Sequence, residues 1–462
     1  PNYHVTICII NYFINYNQKM TIYALSSGQG ISGLAVIRIS GPLTNSVINK
    51  ITNSKLPKER QATRRKFIKI NNNEVIDEGI LIWFPAPNSY TGEDMAELHV
   101  HGSRGVITEI QNNLLSTKKC RMAEAGEFTK IAFVNGKINL LKAEAIGDLI
   151  AAETQIQIDQ AQSIIRGKSF LKFENIREKI IKILGTMEAK IDFPEEDIPE
   201  NVTANIKNEV ENIEIEIKKI LDDNKVGEKI RTGFKIAIVG PPNSGKSSLM
   251  NYFSKRDVSI VSEIAGTTRD VLETHLNFDG YPVIISDTAG IRASKDIIEK
   301  EGIKLAFKKA EEADLRIVII EPKNVEFFGF LNDLFDKSSI LLVNKTDLYD
   351  FKVPEQLKKY NPFPISVLKE TNIDKVISEI KYILKKSLYT STDVFITRER
   401  HRIDLNNCIL SLQDFKNKNI NEDFDKATED LRAAVRTLSK VVGKVDVEEI
   451  LSSIFNDFCI GK

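Results

Sequence analysis

Residues 235–247 read KIAIVGPPNSGKS, and this stretch decides the fold of the middle of the chain. The apolar run 235–239 predicts a buried strand, and residues 240–247 match the GxxxxGK[ST] pattern of a phosphate-binding loop. Backbone N–H groups of such a loop point at bound phosphates, and the helix that follows contributes the positive end of its dipole. We therefore predict a nucleotide-binding α/β domain in which Lys246 reaches the β- and γ-phosphates and Ser247 binds Mg²⁺.

A second motif lies after the strand-like run 283–286, where residues 287–290 read DTAG. In this position Asp287 is expected in the Mg²⁺ shell, and the Gly290 N–H is expected to contact the γ-phosphate. The order of the two motifs along the chain is typical of a P-loop GTPase domain.

A third motif identifies the base, because residues 344–347 read NKTD after the strand-like run 340–343. The carboxylate of Asp347 can accept two hydrogen bonds from guanine, and adenine has neither donor. The nucleotide is therefore expected to be GTP. Residues 366–368 are placed where a further base-contacting loop would lie, although this signal is less specific.

Residues 262–270 read SEIAGTTRD and lie between the first two motifs, as a switch loop would. Thr268 is the candidate that closes over the γ-phosphate and completes the Mg²⁺ shell. The residue after the DTAG motif is Ile291, whereas Ras-like proteins have a glutamine there that orients the attacking water. Glu299 could orient this water through a second water, but both Glu299 and Arg292 could equally be solvated charges.

At roughly 150 residues per domain, a chain of 462 residues predicts about three domains. Strand-like and helical runs alternate over residues 232–389, which predicts a parallel sheet covered by helices. Residues 137–231 and 390–462 read as helix, and residues 20–136 read as an α+β domain. Residues 1–19 are expected to be an upstream extension. The predicted fold is a multidomain α/β protein in which a Ras-like P-loop GTPase domain is inserted in an all-helical domain and an α+β domain precedes both.

Local patterns predict individual elements. Strands are expected at 34–39 and 80–84, and helices at 106–115 and across 143–165. Residues 213–217 read IEIEI and alternate as a strand would, but a longer helical repeat and a possible ion pair between Glu214 and Lys218 favour a helix.

Composition excludes several classes of protein. Lys+Arg and Asp+Glu both number 64, so the chain is not a bulk polycation. The four cysteines form no CxxC pair, which argues against a disulfide framework or a cysteine zinc site and favours a reducing, cytoplasmic location. No apolar run is long enough to predict a membrane span. His99 and His101 are predicted to be a buried structural pair rather than zinc ligands, and the basic run 55–69 a solvated face rather than an RNA contact.

With these residues placed, the chain resembles the MnmE (TrmE) family of tRNA modification GTPases from about Met20 to Lys462. The resemblance includes motifs outside the GTPase domain: LAVIRISGP at 34–42, YTGEDMAEL at 90–98, GEFT at 126–129, NGK at 135–137, IDFPEED at 191–197 and FCIGK at 458–462.

The resemblance implies ligands beyond those that the nucleotide motifs predict. The N-terminal domain would bind 5-formyl- or methylene-tetrahydrofolate and form a constitutive homodimer, with folate contacts at Arg38, Glu97, Lys137 and Lys462. Mg²⁺ would be bound by Ser247 and Thr268, and K⁺ by Asn243, Ser262, the Ile264 carbonyl and Thr267. Glu299 would orient water, which places it with Lys246 and Thr268 among the catalytic residues. The implied GTP contacts are Asn243, Ser244, Gly245, Lys246, Ser247, Ser248, Ser262, Ile264, Thr267, Thr268, Asp287, Thr288, Ala289, Gly290, Asn344, Lys345 and Asp347.

The resemblance also implies a reaction and a partner. The family works with MnmG, a partner that uses FAD and NADH, in a heterotetramer. Together they add an aminomethyl or carboxymethylaminomethyl group at C5 of the wobble uridine, position 34, of certain tRNAs, and folate supplies the one-carbon unit. Because this chain has no dinucleotide-binding fingerprint, FAD is expected on the partner only.

Two alternatives remain open at this point. The GTPase motifs would serve equally well in a GTP-switched RNA-binding or ribosome-assembly factor, although the sequence has no KH or RRM signature. A folate-dependent one-carbon transferase with a regulatory GTPase domain is the weaker alternative.

Overall fold

The computed structural model describes residues 20–28, 30–192, 200–255, 273–287, 308–323, 335–336, 338–349, 352–388, 394–420, 422–445, 451, 454–455 and 458–461. These residues fall into two compact units, one within residues 1–147 and 442–462 and the other within residues 148–441.

The first unit contains a six-stranded sheet in the order β3-β4-β5-β2-β1-β6. Its strands are β1 (Thr21–Leu25), β2 (Ser32–Ser40), β3 (Thr63–Ile68), β4 (Val75–Phe84), β5 (Met95–Gly102) and β6 (Cys120–Met122). Its helices are α1 (Thr44–Thr52), α2 (Arg104–Ser116), α3 (Glu127–Val134) and the greater part of α4 (Leu140–Ala151). The predicted strands at 34–39 and 80–84 and the predicted helix at 106–115 are confirmed as parts of β2, β4 and α2.

One face of this sheet is covered by helices and the other is more open. Ala96, Leu98 and Val100 of β5 are buried in the cluster that α1 and α2 complete. Successive side chains of a strand point to opposite faces, so His99 and His101 lie on the open face. The His101 side chain is 72% exposed and pairs with Asp77 at 2.8 Å. The prediction that both histidines are buried is therefore wrong, because α1 and α2 pack on the other face.

The second unit contains a six-stranded sheet in the order β12-β11-β10-β7-β9-β8. All its neighbouring strands are parallel except the antiparallel pair of β8 and β9. Its strands are β7 (Phe234–Val239), β8 (Glu273–Phe278), β9 (Tyr281–Asp287), β10 (Leu315–Ile320), β11 (Ser339–Val343) and β12 (Phe363–Pro364). The helices of this unit are α5 (Gln155–Ile165), α6 (Lys168–Asp192), α7 (Glu200–Leu221), α8 (Val226–Thr232), α9 (Lys246–Lys255), α10 (Glu355–Lys358), α11 (Ile373–Leu388), α12 (Glu399–Asn417) and α13 (Phe424–Val442). The multidomain α/β fold is thereby confirmed.

The helical segment before the second sheet agrees with the sequence except at one break. The run 143–165 is divided into α4 and α5, because Thr154 caps α5 in a capping box with Gln157. Residues 213–217 lie within α7, and Glu214 pairs with Lys218 at 2.6 Å as predicted. Residues 193–199 lie outside the described residues.

Helices that precede and follow the second sheet along the chain contact each other. Glu214 of α7 accepts hydrogen bonds from Gln413 at 2.7 Å and from Lys416 at 3.1 Å, both on α12. Burial would raise the pKa of Glu214, but hydrogen bonds from Lys218, Gln413 and Lys416 outweigh it and lower the pKa to about 2. The carboxylate therefore remains ionised in this contact at neutral pH.

Among the described residues, each unit buries one free cysteine. Cys120 lies in the first unit and Cys408, on α12, in the second, and both are buried. Burial raises the pKa of Cys120, and it raises the pKa of Cys408 to about 12. Among the described helices, none is both long and apolar enough to cross a membrane.

Candidate functional site

The phosphate-binding loop connects β7, in the interior of the second sheet, to α9. Gly240 is required by close packing, because a Cβ there would lie 2.1 Å from the carbonyl oxygen of Ile319. Asn243 adopts a left-handed backbone conformation with a φ of 62°. Asn243, Ser247 and Ser248 are exposed, so this part of the loop is open to a ligand.

Lys246 is directed back at its own loop. Its Nζ donates hydrogen bonds to the carbonyl oxygens of Gly240 and Pro241, both at 2.8 Å, and the residue is only 7% exposed. The hydroxyl oxygen of Ser244 is buried and has no hydrogen-bond partner among the described residues. A buried ammonium group and an unsatisfied hydroxyl group fit a site built for phosphate oxygens.

Asn344 connects the phosphate-binding loop to the loop after β12. Its Nδ2 donates to the Ser244 carbonyl oxygen at 2.8 Å, and its Oδ1 accepts from the Val367 N–H at 3.1 Å. Asn344 is 3% exposed, whereas Asp347 is exposed. The structure thus joins the first and third sequence motifs and the 366–368 loop at one edge of the sheet, and the Asp347 carboxylate remains accessible.

Lys345 and Glu321 form an ion pair at this edge that the sequence analysis missed. Lys345 has a left-handed φ of 63°, and its Nζ lies 2.6 Å from Oε1 of Glu321. Glu321 follows β10, so only the strand order brings it to Lys345. The one signal in the sequence is an acidic residue directly after a buried apolar strand.

Asp287 is the last residue of β9, and its backbone pairs with Ile238 of β7, just before the phosphate-binding loop. The register therefore places the Asp287 backbone beside the strand that leads into the phosphate-binding loop. The remaining predicted nucleotide residues lie outside the described residues: Ser262, Ile264, Thr267, Thr268, Thr288, Ala289, Gly290 and Glu299.

A second candidate site lies on the open face of the first sheet. Arg38 of β2 and Glu97 of β5 are register partners, and Oε1 of Glu97 accepts from Arg38 Nη2 at 2.9 Å and Nε at 3.2 Å. The guanidinium carbon of Arg38 lies 5.5 Å from the ring centroid of Tyr90 and 5.7 Å from that of Phe128. The structure therefore brings two of the predicted folate residues together.

His99 extends this second site. Its Nε2 is buried, lies 3.5 Å from Oε2 of Glu97, and has no hydrogen-bond partner among the described residues. A guanidinium, a carboxylate, an imidazole and the partly exposed ring of Tyr90 are groups that can hydrogen-bond to or stack on a pterin, or pair with a carboxylate. The donor set thus fits a folate.

Lys137 belongs to a neighbouring loop. Its Nζ donates to the carbonyl oxygen of Pro87 at 2.9 Å. Asn135 Nδ2 donates to the Thr91 carbonyl oxygen at 2.7 Å. Tyr90, in the same loop as Pro87 and Thr91, lies against Arg38. The loop that contains Pro87, Tyr90 and Thr91 thus lies between Lys137 and the Arg38–Glu97 pair.

Glu93 is a residue of this region that the sequence analysis did not assign, although it lies within the 90–98 motif. The Ser40 hydroxyl donates to its Oε2 at 3.1 Å. Burial raises the pKa of Glu93. The Gly461 carbonyl oxygen accepts from Ser26 at 2.9 Å and lies 3.5 Å from Arg38 Nη1, so the C-terminal segment adjoins the site; Lys462 itself is outside the described residues.

Comparison with known proteins gives consistent matches over the chain. A family model described as the MnmE helical domain matches residues 140–459, and one described as the N-terminus of the GTP-binding protein TrmE matches residues 21–137. The tRNA modification GTPase MnmE of Pelagibacter ubique (strain HTCC1062) is 59% identical over 443 residues, which is 96% of this chain and 100% of that protein. The protein of the same name from Rickettsia typhi (strain ATCC VR-144 / Wilmington) is 42% identical over 449 residues, again 96% of this chain and 100% of that protein.

Among solved structures, the similarity is low. A variant of Aquifex aeolicus Era bound to GDP·AlF4⁻ is 27% identical, with 38% of this chain and 66% of that chain covered and a TM-score of 0.26. The G domain of the T. maritima FeoB iron transporter is 22% identical, with 34% and 99% covered and the same TM-score of 0.26. These TM-scores support no inference about function.

Proposed function

We propose a function for this chain on the basis of its family. The chain belongs to the MnmE family of tRNA modification GTPases. It is a GTP hydrolase that acts in tRNA modification, and GTP with Mg²⁺ is its substrate. With this assignment there is no longer a reason to propose the two alternative functions, a ribosome-assembly factor and a free-standing one-carbon transferase. The observation that carries the nucleotide site is the bridge that Asn344 forms between the phosphate-binding loop and the loop after β12.

In the proposed site, the loop 243–248 and Lys246 bind the phosphates. Before GTP binds, the Lys246 ammonium already lies at the phosphate-binding loop, where it donates to two carbonyl oxygens. When GTP binds, the ammonium exchanges these carbonyl partners for phosphate oxygens. Asp347 accepts hydrogen bonds from guanine. The exposure of Asp347 and the burial of Asn344 support this division of roles, because one residue must meet the ligand and the other must hold the loops together.

We assign Mg²⁺ to Ser247 and Thr268, and K⁺ to Asn243, Ser262, the Ile264 carbonyl and Thr267, with Glu299 orienting the attacking water. When bound, these cations neutralise charge that develops on the transferred phosphate. The exposed Ser247 and Asn243 support the assignment, since both lie on the open side of the loop.

GTP hydrolysis by the full chain in K⁺, Na⁺ and Cs⁺ at constant ionic strength tests the cation assignment. We expect strong stimulation by K⁺ alone, and loss of hydrolysis but retention of GTP binding in Glu299→Ala. Lys323→Gln, an exposed change outside the proposed contacts, is the control and should keep the K⁺ dependence. Equal rates in Na⁺ and K⁺ would contradict the proposal.

We assign the site on the first sheet to 5-formyl- or methylene-tetrahydrofolate, held by Arg38, Glu97, Lys137 and Lys462. A bound folate would supply the one-carbon unit. The unsatisfied Nε2 of His99 beside Glu97 supports a ligand here. The test is equilibrium binding of 5-formyltetrahydrofolate: Arg38→Ala should abolish it, while Arg64→Ala, an exposed arginine on the same face, should not. Full binding by Arg38→Ala would contradict the assignment.

The proposed reaction is the formation of an aminomethyl or carboxymethylaminomethyl group at C5 of uridine 34 of certain tRNAs, in the cytoplasm, with FAD on the partner MnmG. We propose that the chain is a homodimer that joins MnmG in a heterotetramer. Apolar side chains support a dimer through the first sheet: Leu34 and Ile80 are 56% and 42% exposed. The proposed domains are residues 20–136, a GTPase domain at 232–389, and a helical domain of 137–231 and 390–462, which the contacts of Glu214 with α12 support.

A further inference from the structure

Glu321 is not among the proposed GTP, Mg²⁺, K⁺ or folate contacts, but it forms an ion pair with Lys345, which is an implied GTP contact. The Glu321 side chain is 13% exposed and that of Lys345 is 33% exposed, and their charged atoms are 2.6 Å apart. A half-buried pair at this distance is better shielded from salt than a surface pair. The pair therefore holds a long, otherwise mobile side chain in one place.

The position of this pair in the sheet is central to the nucleotide site. Strand β10 lies between β7 and β11, and all three are parallel. Their carboxyl ends therefore meet at one edge, so Glu321 lies between the phosphate-binding loop after β7 and the NKTD motif after β11. Open α/β sheets bind ligands at this edge.

The backbone of Lys345 is a second, independent observation. A φ of 63° is uncommon for a lysine and costs on the order of 1 kcal/mol or more, so the surrounding structure must impose it. Lys345 lies between Asn344, which binds the phosphate loop, and Asp347, the proposed guanine acceptor. Both the strained backbone and the fixed ammonium group thus determine where the Lys345 side chain lies relative to the base.

We propose that Glu321 is a positioning residue for guanine nucleotide binding, which orders Lys345 before the nucleotide arrives. This inference rests on the proposed function, in which Asp347 binds guanine, and on the GTP contact that the family resemblance implies for Lys345. Without the carboxylate, Lys345 samples many rotamers and loses them when the nucleotide binds. Ordering one such side chain weakens binding roughly twofold to tenfold.

The test is Glu321→Gln, which keeps the shape of the side chain and removes its charge. The dissociation constants of GTP and GDP should rise by the same factor of roughly two to ten. The KM for GTP should rise with kcat unchanged, because the interaction is equal in the ground and transition states. The preference for GTP over ITP, which lacks the 2-amino group, should stay at the wild-type value, since Asp347 provides it.

A double-mutant cycle with Lys345→Ala identifies the route of the effect. If Glu321 acts through Lys345, Glu321→Gln causes no further loss in the Lys345→Ala background. Lys323→Gln, a nearby exposed residue whose Nζ lies over the Tyr349 ring, is the matched control and should bind GTP normally. Glu321→Asp, which keeps the charge, should bind better than Glu321→Gln, and this variant serves if Glu321→Gln does not fold.

Two results would overturn the inference: unchanged GTP and GDP affinity in Glu321→Gln, or an equal loss of affinity with and without Lys345. A purely structural role would lower the melting temperature without nucleotide and leave both dissociation constants unchanged. Failure of the proposed function gives a different result, because Asp347→Ala would then retain the preference for GTP over ITP.

Discussion

At the scale of single residues, Gly245 restricts how the nucleotide site can be built. Its φ is 100°, a conformation that side chains other than hydrogen rarely allow, and a Cβ there would lie 2.2 Å from Nδ2 of Asn344. This nitrogen is the atom that donates to the Ser244 carbonyl oxygen. A methyl group would therefore displace the side chain that joins the phosphate and guanine ends of the site.

We expect Gly245→Ala to lose most of its GTP affinity, measured by isothermal titration. Gly280→Ala is the matched control, since Gly280 has a φ of 89° but no atom within 4 Å of its Cβ position. That variant should lose only about 1 kcal/mol of unfolding free energy and bind GTP normally. Normal binding by Gly245→Ala would show that the loop can relax around the added methyl group.

At the scale of elements, the short helix α8 ties the second sheet to its helical neighbours. Lys229 pairs with Asp314, before β10, at 3.2 Å, and Arg231 pairs with Asp148 of α4 at 2.9 Å. Glu228 accepts from Arg402 of α12 at 2.8 Å. Since β7 begins two residues after α8, these ion pairs fix the start of the strand that leads to the phosphate-binding loop.

Arg402 is the residue of this network whose loss should cost most. It is 9% exposed and also donates to the Leu221 carbonyl oxygen at 2.8 Å and to Asp223 at 2.6 Å. Hydrogen bonds with Glu228 raise the pKa of Arg402, so it stays charged. Arg402→Met leaves two carboxylates without their cation and should lower the free energy of unfolding by about 3 kcal/mol in urea titrations.

The control is Arg432→Met on α13, because the Arg432 side chain is 45% exposed in its pair with Glu188. Exposed pairs contribute about 0–1 kcal/mol, so this variant should unfold almost as the wild type does. Equal effects of the two substitutions would mean that α8 is not held by its ion pairs.

At the scale of the whole molecule, the two candidate sites lie in different units. Arg38 and Glu97 belong to the first unit, and Asn344 and Asp347 to the second. Arg38→Ala should therefore lose folate binding and tRNA modification while GTP hydrolysis in K⁺ continues at the wild-type rate. Asp347→Ala should keep folate binding and lose GTP affinity. Loss of both activities in either variant would show that the sites cannot be separated.

The sequence predicted those features whose residues are close along the chain. The phosphate-binding loop, the NKTD motif and the helical reading of 213–217 depend on local spacing, and the described residues agree with it. Glu321 could not be predicted, because its contact with Lys345 depends on β10 lying beside β11. The exposure of His101 could not be predicted either, since alternation identifies a shared face but not which face the helices cover. The break before Thr154 could have been predicted from the sequence, because Thr154 and Gln157 have the spacing of a capping box.

The buried thiols of Cys120 and Cys408 make the two units separately observable. The thiolate is the form of cysteine that attacks an alkylating reagent, and these two thiols are buried and have raised pKa values, so they react only when the surrounding structure opens. Peptide mapping after timed alkylation would thus measure the opening of each unit separately, at Cys120 in the first unit and at Cys408 in the second. An added GTP analogue or folate should slow alkylation only in the unit that binds it.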